Sequence, residues 1–260
     1  MRDDLLHRLL HAPAGLLLRR CLIVALAYAM FGKLGLMLAI PPGYATAVWP
    51  PSGLALAATL VWGWRVFPGV LLGSFIVNVA TSWEPGSTPA MLRSLALALA
   101  IGCGAAAQAV VGAWLILRGG RFDNIFTQEV AIIRALMLGG PASCVVNSVI
   151  GVGSLWMAGL IPAPNLLFNA WTWWVGDSIG VLIFTPLICA WMLSSPRHWL
   201  RQQLALTVPM GVIFAAVVAL FFYISANEQR RLFEDFEERA RTHALALQKA
   251  VDAQVQVLAV

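Results

Sequence analysis

The stretch that decides the fold is Leu166–Leu193, LLFNAWTWWVGDSIGVLIFTPLICAWML. It carries a single charge, Asp177, in an otherwise apolar run. A helix rises about 1.5 Å per residue, so this run exceeds the roughly 30 Å of bilayer hydrocarbon. It reads as a membrane-spanning helix.

Similar blocks lie on both sides of it: Cys21–Ile40, Gly53–Gly63, Phe67–Trp83, Ala90–Leu117, Val130–Gly159 and Leu204–Ile224. Gly53–Gly63 is too short to cross alone, and several blocks are interrupted by Gly or Pro. Such breaks survive in a membrane only where protein covers the freed backbone groups. The expected fold is an all-α polytopic bundle of seven or eight spans. Composition agrees, with 60% hydrophobic and 11% charged residues, against about 25% charged in a soluble domain. Mean hydropathy is +0.80.

Arg19 and Arg20 followed by an apolar block, with Ala45-Thr46-Ala47 downstream, have the outline of a signal peptide. The block is too long for one, since such cores run about 7–15 residues. It reads as an uncleaved first helix. Cationic residues alternate between loops. Arg2, Arg8, Arg19, Arg20, Arg65, Arg118, Arg121, Arg197 and Arg201 share one side if there are seven crossings, while Pro41–Pro51, Glu84–Pro89 and Leu160–Asn165 have none. This places the N-terminus in the cytoplasm and the chain after Ile224 outside.

The chain changes character at Ser225. Phe233, Phe236, Ala240, Ala244, Leu247, Val251 and Leu258 recur at helical spacing, which predicts a long amphipathic helix leaving the membrane. It has no stop signal at its end, so the sequence reads as the N-terminal part of a longer protein. The expected organisation is 1–20 cytoplasmic, 21–224 transmembrane and 225–260 extracytoplasmic.

Two charges lie inside apolar blocks, Lys33 and Asp177. Each costs about 2.5–3.5 kcal/mol to insert alone. They are expected to pair or to line one polar cavity; alternatively Lys33 snorkels to the interface. The amides Asn78, Gln108, Asn147 and Asn169 either bond between helices or join a polar pocket. In Trp49-Pro50-Pro51-Ser52-Gly53 the prolines make a rigid turn, with Ser52 placed to cap a helix from Gly53 or Leu54. Trp171, Trp173 and Trp174 crowd the acid, and Pro186 offers a kink below it. Gly69–Gly73 and Gly176–Gly180 have the spacing of close helix contacts.

Other chemistries are not supported. Cys21, Cys103, Cys144 and Cys189 sit in apolar blocks with no C-x-x-C pair, so they read as buried small hydrophobes. His7, His11, His198 and His243 avoid the spans, so no metal or haem site is expected. There is no Walker loop, dinucleotide fingerprint, HExxH or G-x-S-x-G. The net charge of +5 comes with no basic patch interleaved with aromatics, which argues against nucleic acid as a partner. No cofactor is expected.

The stretch 47–78, AVWPPSGLALAATLVWGWRVFPGVLLGSFIVN, resembles the opening signature of MASE1, a bacterial membrane-integral sensory domain. WWVGDSIGVLIFTP at 173–186 resembles its second signature. The helix from Asn227 is similar to the start of a CHASE domain, an extracytoplasmic ligand-binding module. The resemblance implies the input half of a sensor histidine kinase, in a two-component system, or of a cyclic-di-GMP enzyme. It implies a homodimer in the bacterial inner membrane, and an unknown small-molecule or protein signal. Candidate sensory residues are Lys33, Trp49, Asn78, Asn147, Trp174 and Asp177. Pro50, Pro51, Ser52, Gly53, Gly176, Gly180 and Pro186 are expected to be structural. The alternative is a small transporter using Lys33 and Asp177, although no inverted repeat is present.

Overall fold

The computed structural model describes residues 13–37, 46, 48–83, 85–118, 129–193 and 207–220, with isolated positions 223, 240, 241 and 244. No strand occurs among them. Helix α1 is Ala14–Leu36 and α2 is Pro50–Trp62. A 3-10 turn, Trp64–Val66, leads into α3, Phe67–Ser82; α4 is Thr88–Arg118. Helix α5, Glu129–Met137, passes through a π turn at Leu138–Ala142 into α6, Ser143–Met157. Helix α7 is Leu166–Leu193, and α8 is Thr207–Leu220.

Five segments are long and apolar enough to cross a membrane: Ala14–Leu36, Trp64–Ser82, Thr88–Arg118, Ile133–Met157 and Ala163–Leu193. The expected seven or eight is therefore not reached by length among the described residues. Helix α2, with 13 residues, and α8 fall short. By contacts the chain divides into two units, Met1–Phe214 and Ala215–Val260. The second is described only at 215–220, 223, 240, 241 and 244, all helical. Most of the expected amphipathic helix after Ser225 lies outside the described residues.

The helix ends follow local chemistry. Pro50 and Pro51 occupy the first positions of α2, where the absent N–H would have no intrahelical partner anyway. The sequence expectation of a start at Gly53 or Leu54 capped by Ser52 is thus corrected: the helix begins at Pro50, and no side chain caps it. Gly63, at φ 85°, ends the helix in a conformation that suits glycine. Helix α6 ends with Gly159 at φ 73°. There Gly159 N–H donates to Trp156 O and Leu160 N–H to Leu155 O, the paired closure that satisfies terminal carbonyls.

Helix α2 is the centre of the bundle. Every residue from Pro50 to Leu60 is buried, as expected of a helix apolar on all sides. It packs against α7, α1 and α4. Val24, Tyr28, Ala58, Val70 and Ala105 form one apolar cluster, and Leu56, Ala57, Ala113, Cys144 and Val181 another. The Gly69–Gly73 spacing is used at the α1–α3 contact: a Cβ on Gly69 would come within 2.8 Å of Cys21 Cα, and one on Gly73 within 2.6 Å of Tyr28 Cβ.

The cysteines differ in part from expectation. Cys144 and Cys189 are buried, but Cys21 is half-buried and Cys103 is exposed on α4. An apolar block presents one face to lipid, so a small residue in it need not be interior.

Candidate functional site

Helices α2 and α7 cross with almost no space between them. A Cβ on Gly53 would collide with Gly180 O and lie 2.7 Å from Phe184 Cβ. A Cβ on Gly180 would collide with Trp49 O and lie 2.6 Å from Trp49 C. Three hydrogen bonds stitch the crossing. Trp49 N–H donates to Gly176 O at 2.9 Å. Ser52 Oγ donates to Asp177 O at 2.9 Å and lies 2.7 Å from Trp49 O. Thr185 Oγ1 donates to Gly53 O at 3.1 Å. Ser52 therefore serves the crossing rather than a helix cap. Pro186 lies within α7 without ending it.

Beside this crossing is a cavity of ≈ 70 Å³, room for about five to seven waters at 10–15 Å³ each. Trp49, Asn78, Asn147 and Asp177 all line it. It lies at the bundle end formed by the last turns of α1, α3 and α6, with Leu36, Ser82 and Leu155 in its wall. Arg19, Arg20, Arg65, Arg118 and Arg134 lie near the opposite ends of their helices, whereas Lys33 and Arg93 lie toward the cavity end. At the arginine-rich end Arg20 sits over the Trp62 ring and Arg118 over Trp114, at 5.7 and 4.9 Å.

Asp177 is fully buried. Asn147 Nδ2 donates to its Oδ2 at 2.9 Å. Asp177 Oδ1 and Asn147 Oδ1 have no hydrogen-bond partner among the described residues. The Trp49 indole lies against Gly35, where an added Cβ would stand 3.1 Å from the ring, and donates from Nε1 to Tyr28 Oη at 3.3 Å. Asn78 Nδ2 donates to Ser74 O and Ser74 Oγ.

Two of the expected site residues stand elsewhere. Lys33 is exposed in the last turn of α1 and makes no ion pair with Asp177; the snorkelling alternative fits its place. Trp174 donates from Nε1 to Pro141 O at 2.7 Å and does not line the cavity, whereas Trp173 does. Of the other amides, Gln108 Nε2 donates to Cys144 Sγ at 3.4 Å. Asn169 Nδ2 bonds within its own helix region, to Asn165 O.

Sequence reasoning missed Tyr28, Ser74, Thr81 and Ser82, which also line the cavity. A signal for Tyr28 existed: Gly32 and Gly35 follow it at one-turn spacings, marking a face of α1 that meets protein. The serines and threonines carried none, because such hydroxyls commonly bond back to their own helix. Thr81 and Ser82 do so here.

A comparison with family models finds one, MASE1, that matches residues 20–228. Searches of curated proteins and of solved structures find no match. The matched span holds the whole α2–α7 crossing and the cavity beside it. The chain belongs to the MASE1 family, a membrane-integral sensory domain of signalling receptors.

Proposed function

We propose that the cavity around Asp177 is where this domain perceives its signal, and that the chain is the input half of a bacterial sensor histidine kinase or cyclic-di-GMP enzyme. The observation that carries the reading is the meeting of two segments more than a hundred residues apart. Trp49–Gly53 and Gly176–Gly180 form one tight crossing, and the same segments supply Trp49 and Asp177 to the cavity wall. A ligand there can shift the α2–α7 packing between two states only by binding one of them more tightly.

The clustering of arginines at the bundle end away from the cavity supports an inner-membrane orientation with the N-terminus cytoplasmic and the cavity facing outward. In that orientation α2 and α8 complete seven passes. The segment from 225 onward then begins an extracytoplasmic CHASE-like module, and two copies of the chain pair as a homodimer. The transporter reading is not favoured, because Lys33 is exposed and does not line the cavity with Asp177.

The test is Asp177→Asn in the complete receptor, measuring output and the amount of inserted protein together. The expected result is an altered response at unchanged insertion. Wild-type output from well-inserted Asp177→Asn would refute the assignment.

A further inference from the structure

We infer that the cavity binds a small primary ammonium cation. This rests on the reading of the cavity as the sensory site and adds the chemistry of what it senses. The argument is an inventory of donors and acceptors. Thr46 Oγ1 already donates to Val48 O, Thr81 Oγ1 to Val77 O and Ser82 Oγ to Asn78 O. Trp49 Nε1 is committed to Tyr28 Oη. Among the described residues, what stands without a partner in the wall is acceptor capacity: Asp177 Oδ1 and Asn147 Oδ1, on residues 0% and 3% exposed; the hydroxyls of Tyr28 and Ser74, also in the wall, already accept from Trp49 Nε1 and Asn78 Nδ2.

No Lys, Arg or His lines the cavity among the described residues. The stretch 38–47, LAIPPGYATA, which leads to Trp49, contains none either. A carboxylate at membrane depth needs a partner, a watery cavity or a proton. An occupant carrying positive charge and several N–H donors meets both needs at once. A primary ammonium has three donors and no acceptor. Trp49, Trp173 and Tyr28, all in the wall, bring aromatic rings of the kind that attract cations. The ≈ 70 Å³ volume, room for about five to seven waters, suits a small cationic group. An alkali-metal ion brings no N–H donors to aim at the two unpartnered oxygens, whereas a primary ammonium brings three.

The test uses the whole chain in nanodiscs of phosphatidylcholine and phosphatidylglycerol, titrated with ethylammonium chloride in a calorimeter. Saturable binding is expected, with none from potassium chloride, sodium chloride or tetramethylammonium chloride at equal ionic strength. Folded Asp177→Asn should bind at least about tenfold more weakly, as expected for loss of one charge-assisted hydrogen bond. If that variant does not fold, the salt series on the wild type decides alone. Absence of saturable binding, equal binding of potassium, or undiminished binding by folded Asp177→Asn would overturn the inference. Binding without any change in receptor output would sink the sensory reading and leave this one standing. Altered output from Asp177→Asn without ethylammonium binding would do the reverse. Repeating the titration in discs containing phosphatidylethanolamine assigns the source. A weaker apparent affinity identifies a lipid headgroup as occupant, an unchanged one a free amine.

Discussion

Replacing Gly180 by alanine tests the crossing of α2 and α7 directly. The new Cβ would collide with Trp49 O and stand 2.6 Å from Trp49 C and 2.7 Å from Ser52 Oγ. Two of these are backbone atoms at the start of a helix, so no rotamer change relieves them, and the helices must separate. Separation weakens the bonds Trp49 N–Gly176 O, Ser52 Oγ–Asp177 O and Thr185 Oγ1–Gly53 O. At about 0.5–1.5 kcal/mol each, less up to about 1 kcal/mol gained from alanine over glycine within a helix, the net loss is about 2 kcal/mol. That raises the population of open molecules about thirtyfold. Cys144 and Cys189 are both 0% exposed, so their labelling by a membrane-permeant thiol reagent follows that population when opening is fast relative to reaction. The control is Gly153→Ala in α6, where an added Cβ meets nothing within 4 Å. It should label no faster than wild type. Gly180→Ala labelling at the wild-type rate, or Gly153→Ala labelling as fast as Gly180→Ala, would refute the reasoning.

Three other outcomes are expected. Lys33→Met should leave insertion and receptor output near wild type, because the side chain is exposed and is not part of the cavity wall; its favourable place at the helix C-terminus is worth only about 0.3–1 kcal/mol, and loss of output would restore it to the site. Trp174→Phe removes the 2.7 Å bond to Pro141 O in the π turn and should cost about 1 kcal/mol, read as faster labelling of Cys144 with unchanged ethylammonium affinity. Asp177→Asn should separate response from insertion, as set out above, in an output assay paired with quantification of membrane protein.

Much of the architecture was legible because membrane helices announce themselves by length and apolarity. Asp177 stood out for the same reason: a lone acid in an apolar run is costly enough to demand an explanation. Its partner was harder to name. Lys33 was the natural choice by charge, but charge says nothing about which face of a helix points inward. On α1 the inward face is Val24, Ala25, Tyr28, Gly32 and Gly35, and Lys33 is off it. Asn147 became the partner because Gly104, on α4, leaves room for its side chain. A Cβ there would stand 2.7 Å from Asn147 Oδ1. Complementarity of this kind, between residues more than forty positions apart, leaves no local periodicity. The choice of Trp174 over Trp173 failed similarly: adjacent residues on one helix differ by about 100° in direction, and only the packed neighbours decide which meets the cavity.

Fewer described helices than expected are long enough to span, for a physical reason that also bears on the site. The rule of about 20 apolar residues applies to a helix that must shield its own backbone ends from lipid. Helix α2, at 13 residues, is about 20 Å long and escapes the rule because other helices surround it. Its first turn is stitched to α7 by the bonds around Trp49 and Ser52, and its last turn leads through Gly63 into the 3-10 turn at Trp64–Val66. One end carries Trp49 into the cavity wall, and the other continues to Arg65 at the arginine-rich end. The element that falls short of a span by length therefore joins the cavity to the opposite end of the bundle, as α1 and α4 also do.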